Sequence, residues 1–340
     1  MMTFILFANR CAVAVSSSND CSAINGLLKE LKHHLSETAM DCRIIGEITV
    51  EDSIQCPKTA VLYHDKKLYS DSTDVYCVDG ESIVRMNLNP DRFHLTVDYK
   101  TESVLLIIVM QSMLNWYLPL SGLVFMHTAS FKYKNRVYAI GGFGGAGKTE
   151  VMLEALNEGA QYISDDLAIF DSNGQIYPYL RRVSLHDYPF TDKQLEQYKL
   201  SKIRYRLMKY CQTKSDRVSR YLYQRYKGRF NISIDIADSF MLDHKGGNVV
   251  DYNFWLESAG QNSVVNIAKE EFVRKMIFCM ENEFRSYSDF DGYFGCIYNF
   301  WQEKRECRNR LINEALDNLD VQGLSIRGTD YKELLSIILK

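Results

Sequence analysis

The chain has 340 residues, of which 46 % are hydrophobic and 24 % charged, with a formal net charge of −3. That is enough chain for a sizeable core in roughly two or three domains, and the near-neutral balance excludes whole-surface attraction to nucleic acid or to an anionic membrane. Nine cysteines include no CxxC pair, and an odd count cannot pair completely within the chain, so reduced thiols and a cytoplasmic setting are expected.

The first ten residues, Met1 to Arg10, carry an apolar run too short for a signal segment and no basic stretch ahead of it; they read as a first strand. Up to about Asp98, short apolar runs (Phe4 to Ala8, Ala12 to Val15, Ile44 to Val50, Ala60 to Tyr63, Phe93 to Val97) alternate with polar turns around one helical segment, Ala23 to Ser36. This is the pattern of a small mixed α/β domain over residues 1–100, expected to be accessory or substrate-presenting. Leu105 to Met126 is apolar enough to raise the question of a membrane span. Gln111, Ser112 and Asn115 interrupt it and Pro119 breaks it, which favours a buried helix followed by a strand.

Strand patterns follow at Leu123 to His127 and Val137 to Ile140, joined by the polar turn Lys132 to Arg136. Directly after comes Gly142-Phe143-Gly144-Gly145-Ala146-Gly147-Lys148-Thr149, which fits GxxxxGK[ST]. In that pattern small residues let successive backbone N–H groups face phosphate oxygens at the positive end of a helix. Lys148 is expected to reach the β and γ phosphates of ATP, and Thr149 to place its hydroxyl on Mg²⁺. A helix over Glu150 to Asn157 closes at Gly159, the strand Tyr162 to Asp166 follows, and Ser172-Asn173-Gly174 marks a hairpin between Leu167 to Asp171 and Gln175 to Tyr179. No Asn-Lys-x-Asp base-reading motif is present, and the strand ends in Asp165-Asp166 rather than Asp-Glu. Two adjacent carboxylates at such a place can divide labour, one on the metal and one taking the proton of an attacking hydroxyl.

Taken together, Met126-His127-Thr128-Ala129, Ile140-Gly141-Gly142, Gly147-Lys148-Thr149-Glu150, Gly159 and Ser164-Asp165-Asp166 resemble, in order and spacing, the catalytic domain of the HPr kinase/phosphorylase family. That fold is related to ATP-dependent phosphoenolpyruvate carboxykinase. His127 lies 21 residues before Lys148, and Asp165 and Asp166 lie 17 and 18 after it. The resemblance implies Asp166 as general base, Asp165 beside it near the metal, His127 orienting the carboxylate, and Glu150 in the metal shell. Without it, His127 reads as a buried, hydrogen-bonded histidine. The likeness covers Leu105 to Tyr188, roughly a quarter of the chain, and gives a P-loop kinase core with mixed sheet over 101–190. The family's downstream Arg-Gly-Leu-Gly stretch is absent, with Arg181-Arg182-Val183-Ser184-Leu185 near its place. Phosphorylase activity and HPr as acceptor are therefore not expected; a peptide or metabolite hydroxyl is.

Residues 191–340 look mainly helical, with Lys193 to Gln224, Ala268 to Arg285, Phe300 to Leu319 and Asp330 to Ile338 as the candidates, and are expected to complete the core and the acceptor site. Within them Lys193, Lys199, Lys202, Arg204, Arg206, Lys209, Lys214, Arg217, Arg220, Arg225, Lys227 and Arg229 face only Asp192, Glu196 and Asp216, with six tyrosines interleaved. Such a segment can bind an acidic partner or RNA. It can equally be a solvated helix face whose tyrosines and Leu195, Ile203, Leu207 and Leu222 pack on the core. Two functions follow: an ATP-dependent hydroxyl kinase, possible in a homo-oligomer as in relatives, and an ATP-gated ATPase that binds RNA or an acidic partner.

Overall fold

The computed structural model describes residues 2–16, 21–39, 41–57, 60–63, 66–71, 73–185, 190–198, 200–213, 215–226, 232–240, 246–258, 263–283, 298–326 and 331–339. It is a mixed α/β protein. The N-terminal sheet has the strand order Leu35–Ser36, Met2–Phe7, Cys11–Ser16, Arg43–Glu51, Phe93–Asp98, Ser82–Leu88, Asp74–Asp79, Lys66–Ser70 and Ala60–Tyr63. Cys11–Ser16 pairs parallel with Arg43–Glu51, which pairs parallel with Phe93–Asp98. Cys11 to Val15 are buried without alternation, as befits a strand covered on both faces. Ser82–Leu88 alternates buried Val84, Met86 and Leu88 with outward residues, the pattern of an antiparallel strand with one wet face.

The stretch with membrane-like composition forms the helix Ser103–Tyr117 and a short turn over Leu118–Ser121. By length and composition it could cross a membrane. Within the fold it instead packs against the helices Ser22–Glu30 and Trp301–Asp317, with Leu106, Val109, Met110, Met113 and Leu114 fully covered.

The glycine loop hangs from a second sheet, ordered Gln161–Ser164, Thr128–Tyr133, Arg136–Gly141, Tyr252–Ser258, Val321–Ile326, Ser263–Val265. Its centre is parallel, Arg136–Gly141 against Tyr252–Ser258 and that against Val321–Ile326. Alternate residues of the loop strand enter different apolar layers. Val137 and Ala139 join the large core that reaches from Ile5 to Leu319, with Trp255. Tyr138 and Ile140 join a second core with Phe254, Leu256 and Leu324, closed by the helices Lys148–Asn157 and Tyr331–Ile338. A smaller sheet, Leu123–Met126, Ala168–Asp171, Gln175–Tyr177 and Asn248–Val249, lies alongside.

Residues 191–340 contain more strand than the periodicity predicts: Ile232–Ile234, Asn248–Val249, Tyr252–Ser258, Ser263–Val265 and Val321–Ile326. Tyr252–Ser258 is the parallel neighbour of the loop strand, and its residues Asn253 to Leu256 are buried in succession, which erases the alternation that marks a strand in sequence. The single helix predicted over Lys193 to Gln224 is three: Asp192–Gln197, Lys202–Thr213 and Arg217–Tyr226. A capping box at Thr191 starts the first. The Asp216 carboxylate starts the last by accepting the N–H groups of Val218 and Ser219 at 2.8 and 2.9 Å.

Where the N-terminal sheet meets the glycine-loop core, the contacts are polar and specific. Arg10 donates to Asp171 at 2.8 Å and to the Tyr177 hydroxyl at 3.0 Å. The His34 Nε2 accepts the Leu180 N–H at 2.8 Å, and Glu30 accepts the Arg182 N–H at 3.2 Å. Since Ile140 is fully buried near the end of the loop strand, Ile140→Ala is expected to cost about 2–5 kcal/mol, read as a lower thermal-unfolding midpoint.

Candidate phosphoryl-transfer site

Backbone geometry shapes the loop first. Gly145 and Gly147 hold φ of +78° and +99°, a region closed to most side chains. At Gly147 space forbids a side chain as well, because a Cβ would stand 2.5 Å from the Tyr331 ring. Around Gly144 and Gly145 a Cβ would meet nothing within 4 Å, so the loop's outer side is open. Behind it begins the helix Lys148–Asn157, whose first N–H groups have no partner inside the helix.

Lys148 is buried and turned onto its own loop, donating to the carbonyls of Gly142 at 2.8 Å and Phe143 at 3.1 Å. Thr149 Oγ1 donates to both oxygens of Asp165, at 2.9 and 3.1 Å. Asp165 is only 5 % exposed. Burial pushes its carboxyl pKa up, against the Thr149 hydrogen bond and the charges of Arg181, Lys148 and His127, which pull it down. Glu150 sits in the first turn of the same helix, near Tyr331, whose phenol is pushed up by burial and by the Glu150 charge.

Asp166 has φ +68°, and the Leu167 N–H donates across it to the Asp165 carbonyl at 2.8 Å. This three-residue turn is rare for a residue with a side chain and costs about 1–3 kcal/mol. Ser164 anchors it, its hydroxyl bonding the Leu167 carbonyl and accepting the Tyr179 N–H at 3.3 Å. The turn throws the Asp166 carboxylate toward His127, which is buried, with Nε2 2.9 Å from Oδ1. Arg181 pairs with the other oxygen, Oδ2. His127 Nδ1 lies 3.0 Å from the Cys279 Sγ, and that thiol lies 3.5 Å from the Gly142 carbonyl oxygen.

The fold thus gathers His127, Lys148, Thr149, Asp165 and Asp166 from separate strand and helix ends into one network. Two members were not assigned from sequence. Arg181 was visible only as part of a basic pair in place of a missing motif. Cys279 is 152 residues from His127, on the helix Lys269–Glu283, and no spacing rule points to it. Phe143, in the loop itself, meets Trp255 and Phe278 edge to face at 5.2 and 5.9 Å, leaving Phe278 57 % exposed beside the loop.

Elsewhere, His33, Asp235 and Asp238 cluster closely enough to hold a cation. The Lys32 ammonium already sits 2.9 and 2.7 Å from the two carboxylates, so the group reads as an ion cluster between the N-terminal region and the segment after Ile232–Ile234. In the basic segment, Leu195, Tyr198 and Tyr205 are buried around Phe190. Ile203 is 82 % exposed and Leu207, Tyr210, Val218 and Tyr221 are exposed too, so Ile203 and Leu207 do not pack on the core as the helical pattern predicts. The cause is the break into short helices, which rotates the second one independently. Lys199, Lys214, Lys227 and Arg229 lie outside the described residues.

Comparison with protein-family models and with curated proteins returns no match. Asp165→Asn removes a carboxylate whose ionised form burial disfavours. The variant is expected to keep or raise the thermal-unfolding midpoint. The wild type should gain stability relative to this variant as pH falls, because a raised carboxyl pKa makes the protonated form the one the fold prefers.

Proposed function

We propose that the protein is an ATP-dependent kinase that transfers the γ-phosphoryl group to a hydroxyl of a peptide or small metabolite. The supporting observation is the pairing of a glycine loop and its Lys148 with a second, strained carboxylate, Asp166, gripped on both oxygens by His127 and Arg181. A structural ion pair needs neither the unusual backbone nor a place beside a phosphate loop. The resemblance to the HPr kinase/phosphorylase family agrees with this reading, and the missing downstream signature separates the chain from the carrier-protein kinases of that family.

The residues fit ATP and Mg²⁺. The open side at Gly144 and Gly145 leaves room for phosphates, Lys148 is held by two carbonyl oxygens that stand where phosphate oxygens would compete, and Thr149 with Asp165 offers the hard oxygen donors that Mg²⁺ takes. When bound, the nucleotide and its metal supply the phosphoryl group and neutralise its charge. Glu150, in the first turn of the helix, would contact the metal's water shell. Lys148 would exchange its carbonyl partners for phosphate. Asp166 takes the proton of the attacking hydroxyl: each carboxylate oxygen has a second lone pair beyond the one engaged by His127 or Arg181. His127 and Arg181 fix the direction of that lone pair, which is what a general base needs.

The exposed Ile203, Val218 and Tyr221 among basic residues favour one further reading, an ATPase that grips RNA or an acidic partner through this face. Asp166→Asn separates the two. As a kinase, the variant is expected to bind ATP like the wild type in calorimetry while losing about 10²- to 10⁴-fold in transfer of labelled γ-phosphate to hydroxyl peptides and metabolites. Loss of ATP binding would sink the assigned role, and RNA-stimulated hydrolysis with no transfer to any hydroxyl would favour the gate.

A further inference from the structure

We infer that Phe143 and Phe278 form a docking platform for an apolar side chain of the phosphoryl acceptor, so that the acceptor is a peptide with such a side chain next to its hydroxyl rather than a small polar metabolite. This deepens the phosphoryl-transfer reading above and rests on it. Phe143 is 38 % and Phe278 57 % exposed, and the two rings meet at 5.9 Å with their planes 84° apart. Apolar residues scattered singly over a surface need no explanation. Two that touch, one of them inside a phosphate loop, make a contiguous apolar surface beside a site built for charge.

The platform is held firmly from behind. Phe143 stands edge to face on Trp255 at 5.2 Å, Trp255 stands on Phe272 at 5.7 Å, and Trp255 and Phe272 are buried. The Trp255 Nε1–H donates to Glu257 at 3.0 Å, which fixes the indole. Aromatic rings held in this way have little freedom left to lose when something covers them, so the covered area converts to affinity at small cost. Neither phenylalanine has a polar group to offer, so the group that covers them is apolar.

Position names the occupant. In phosphoryl transfer the attacking oxygen and the departing nucleotide lie on opposite sides of the γ-phosphorus, and Asp166 marks the side of the attack. Phe278 adjoins Cys279 in the helix Lys269–Glu283. The Cys279 Sγ is 3.0 Å from His127 Nδ1, and His127 Nε2 is 2.9 Å from Asp166 Oδ1, so one thiol and one imidazole separate Asp166 from the turn that carries Phe278. Gly142, at the strand end of the loop, has its carbonyl oxygen 3.5 Å from the same thiol, and Phe143 is the next residue. Gly147, at the helix end, meets Tyr331 instead. An apolar group on Phe143 and Phe278 therefore belongs to the molecule that brings the hydroxyl. A free hydroxy amino acid has no apolar part to lay there, whereas a peptide carries a neighbouring side chain. Its burial away from the reacting atoms holds the hydroxyl in the attacking position.

Transfer of labelled γ-phosphate to blocked pentapeptides tests this, with a central serine flanked on both sides by phenylalanine, by leucine or by glycine, beside free serine and beside calorimetry with Mg²⁺ and an ATP analogue whose γ-phosphoryl cannot transfer. The KM of the phenylalanine and leucine peptides is expected to lie about 10-fold or more below that of the glycine peptide. Phe278→Ala, at an exposed position, is expected to raise the KM of the phenylalanine peptide to that of the glycine peptide, while kcat and the dissociation constant of the analogue stay within about twofold of the wild type. Phe278→Leu is expected to keep most of the preference. Equal KM for the three peptides, or transfer to free serine alone, overturns the platform and leaves the kinase reading standing. Loss of analogue affinity in Phe278→Ala assigns the rings to the nucleotide's base and likewise overturns it. No transfer to any of the peptides overturns the platform, and the kinase reading falls with it only if free serine and other hydroxyl metabolites stay unlabelled too.

Discussion

The strand Arg136–Gly141 must be buried on both faces, and the site depends on that constraint. Ala139 looks into one apolar layer and Tyr138 and Ile140 into another, so the strand cannot slide without exposing one set or the other. Its end is therefore a fixed point, and the glycine loop leaves from it. The antiparallel neighbour Thr128–Tyr133 carries His127 at its start, and the next strand out, Gln161–Ser164, delivers Asp165 and Asp166 at its end. Three adjacent strands thus set the relative places of the lysine, the histidine and the two carboxylates, and only the last few ångströms are left to side chains.

Within those ångströms the electrostatics are divided. Asp165 is enclosed and disfavoured as an anion until something positive joins it, while Asp166 is more open and already flanked by a guanidinium and an imidazole. Two neighbouring residues of the same type are thus given different charge environments by their surroundings alone.

Much of this was legible in the sequence because it is local. The glycine loop, the helix after it, Gly159 at +91° and the hairpin at Gly174 follow from short-range rules, and they stand where those rules put them. His127, Lys148, Thr149, Asp165 and Asp166 lie together in space, since their spacing reflects strand lengths in one sheet. Tyr252–Ser258 is not legible because a central parallel strand, buried from Asn253 to Leu256, shows no alternation. Cys279 and Arg181 were missed for another reason. Their parts come from where distant segments meet, and nothing in their immediate neighbours announces it. The positive φ of Asp166 belongs to the same class, being imposed by Ser164 and Tyr179 rather than by local preference.

The seam along Leu180 to Arg182 has a bearing on how such a protein can change over time. The backbone on either side of Arg181 is held by His34 and Glu30, so the arginine on Asp166 is aimed from the helical segment Ser22 to His34 as much as from the core that contains it. A new N-terminal region grafted onto this core would have to reproduce those two grips, or the Arg181–Asp166 pair would loosen with the graft. Change is thereby steered toward loops and short helices away from that seam, and the two halves are bound to be inherited together.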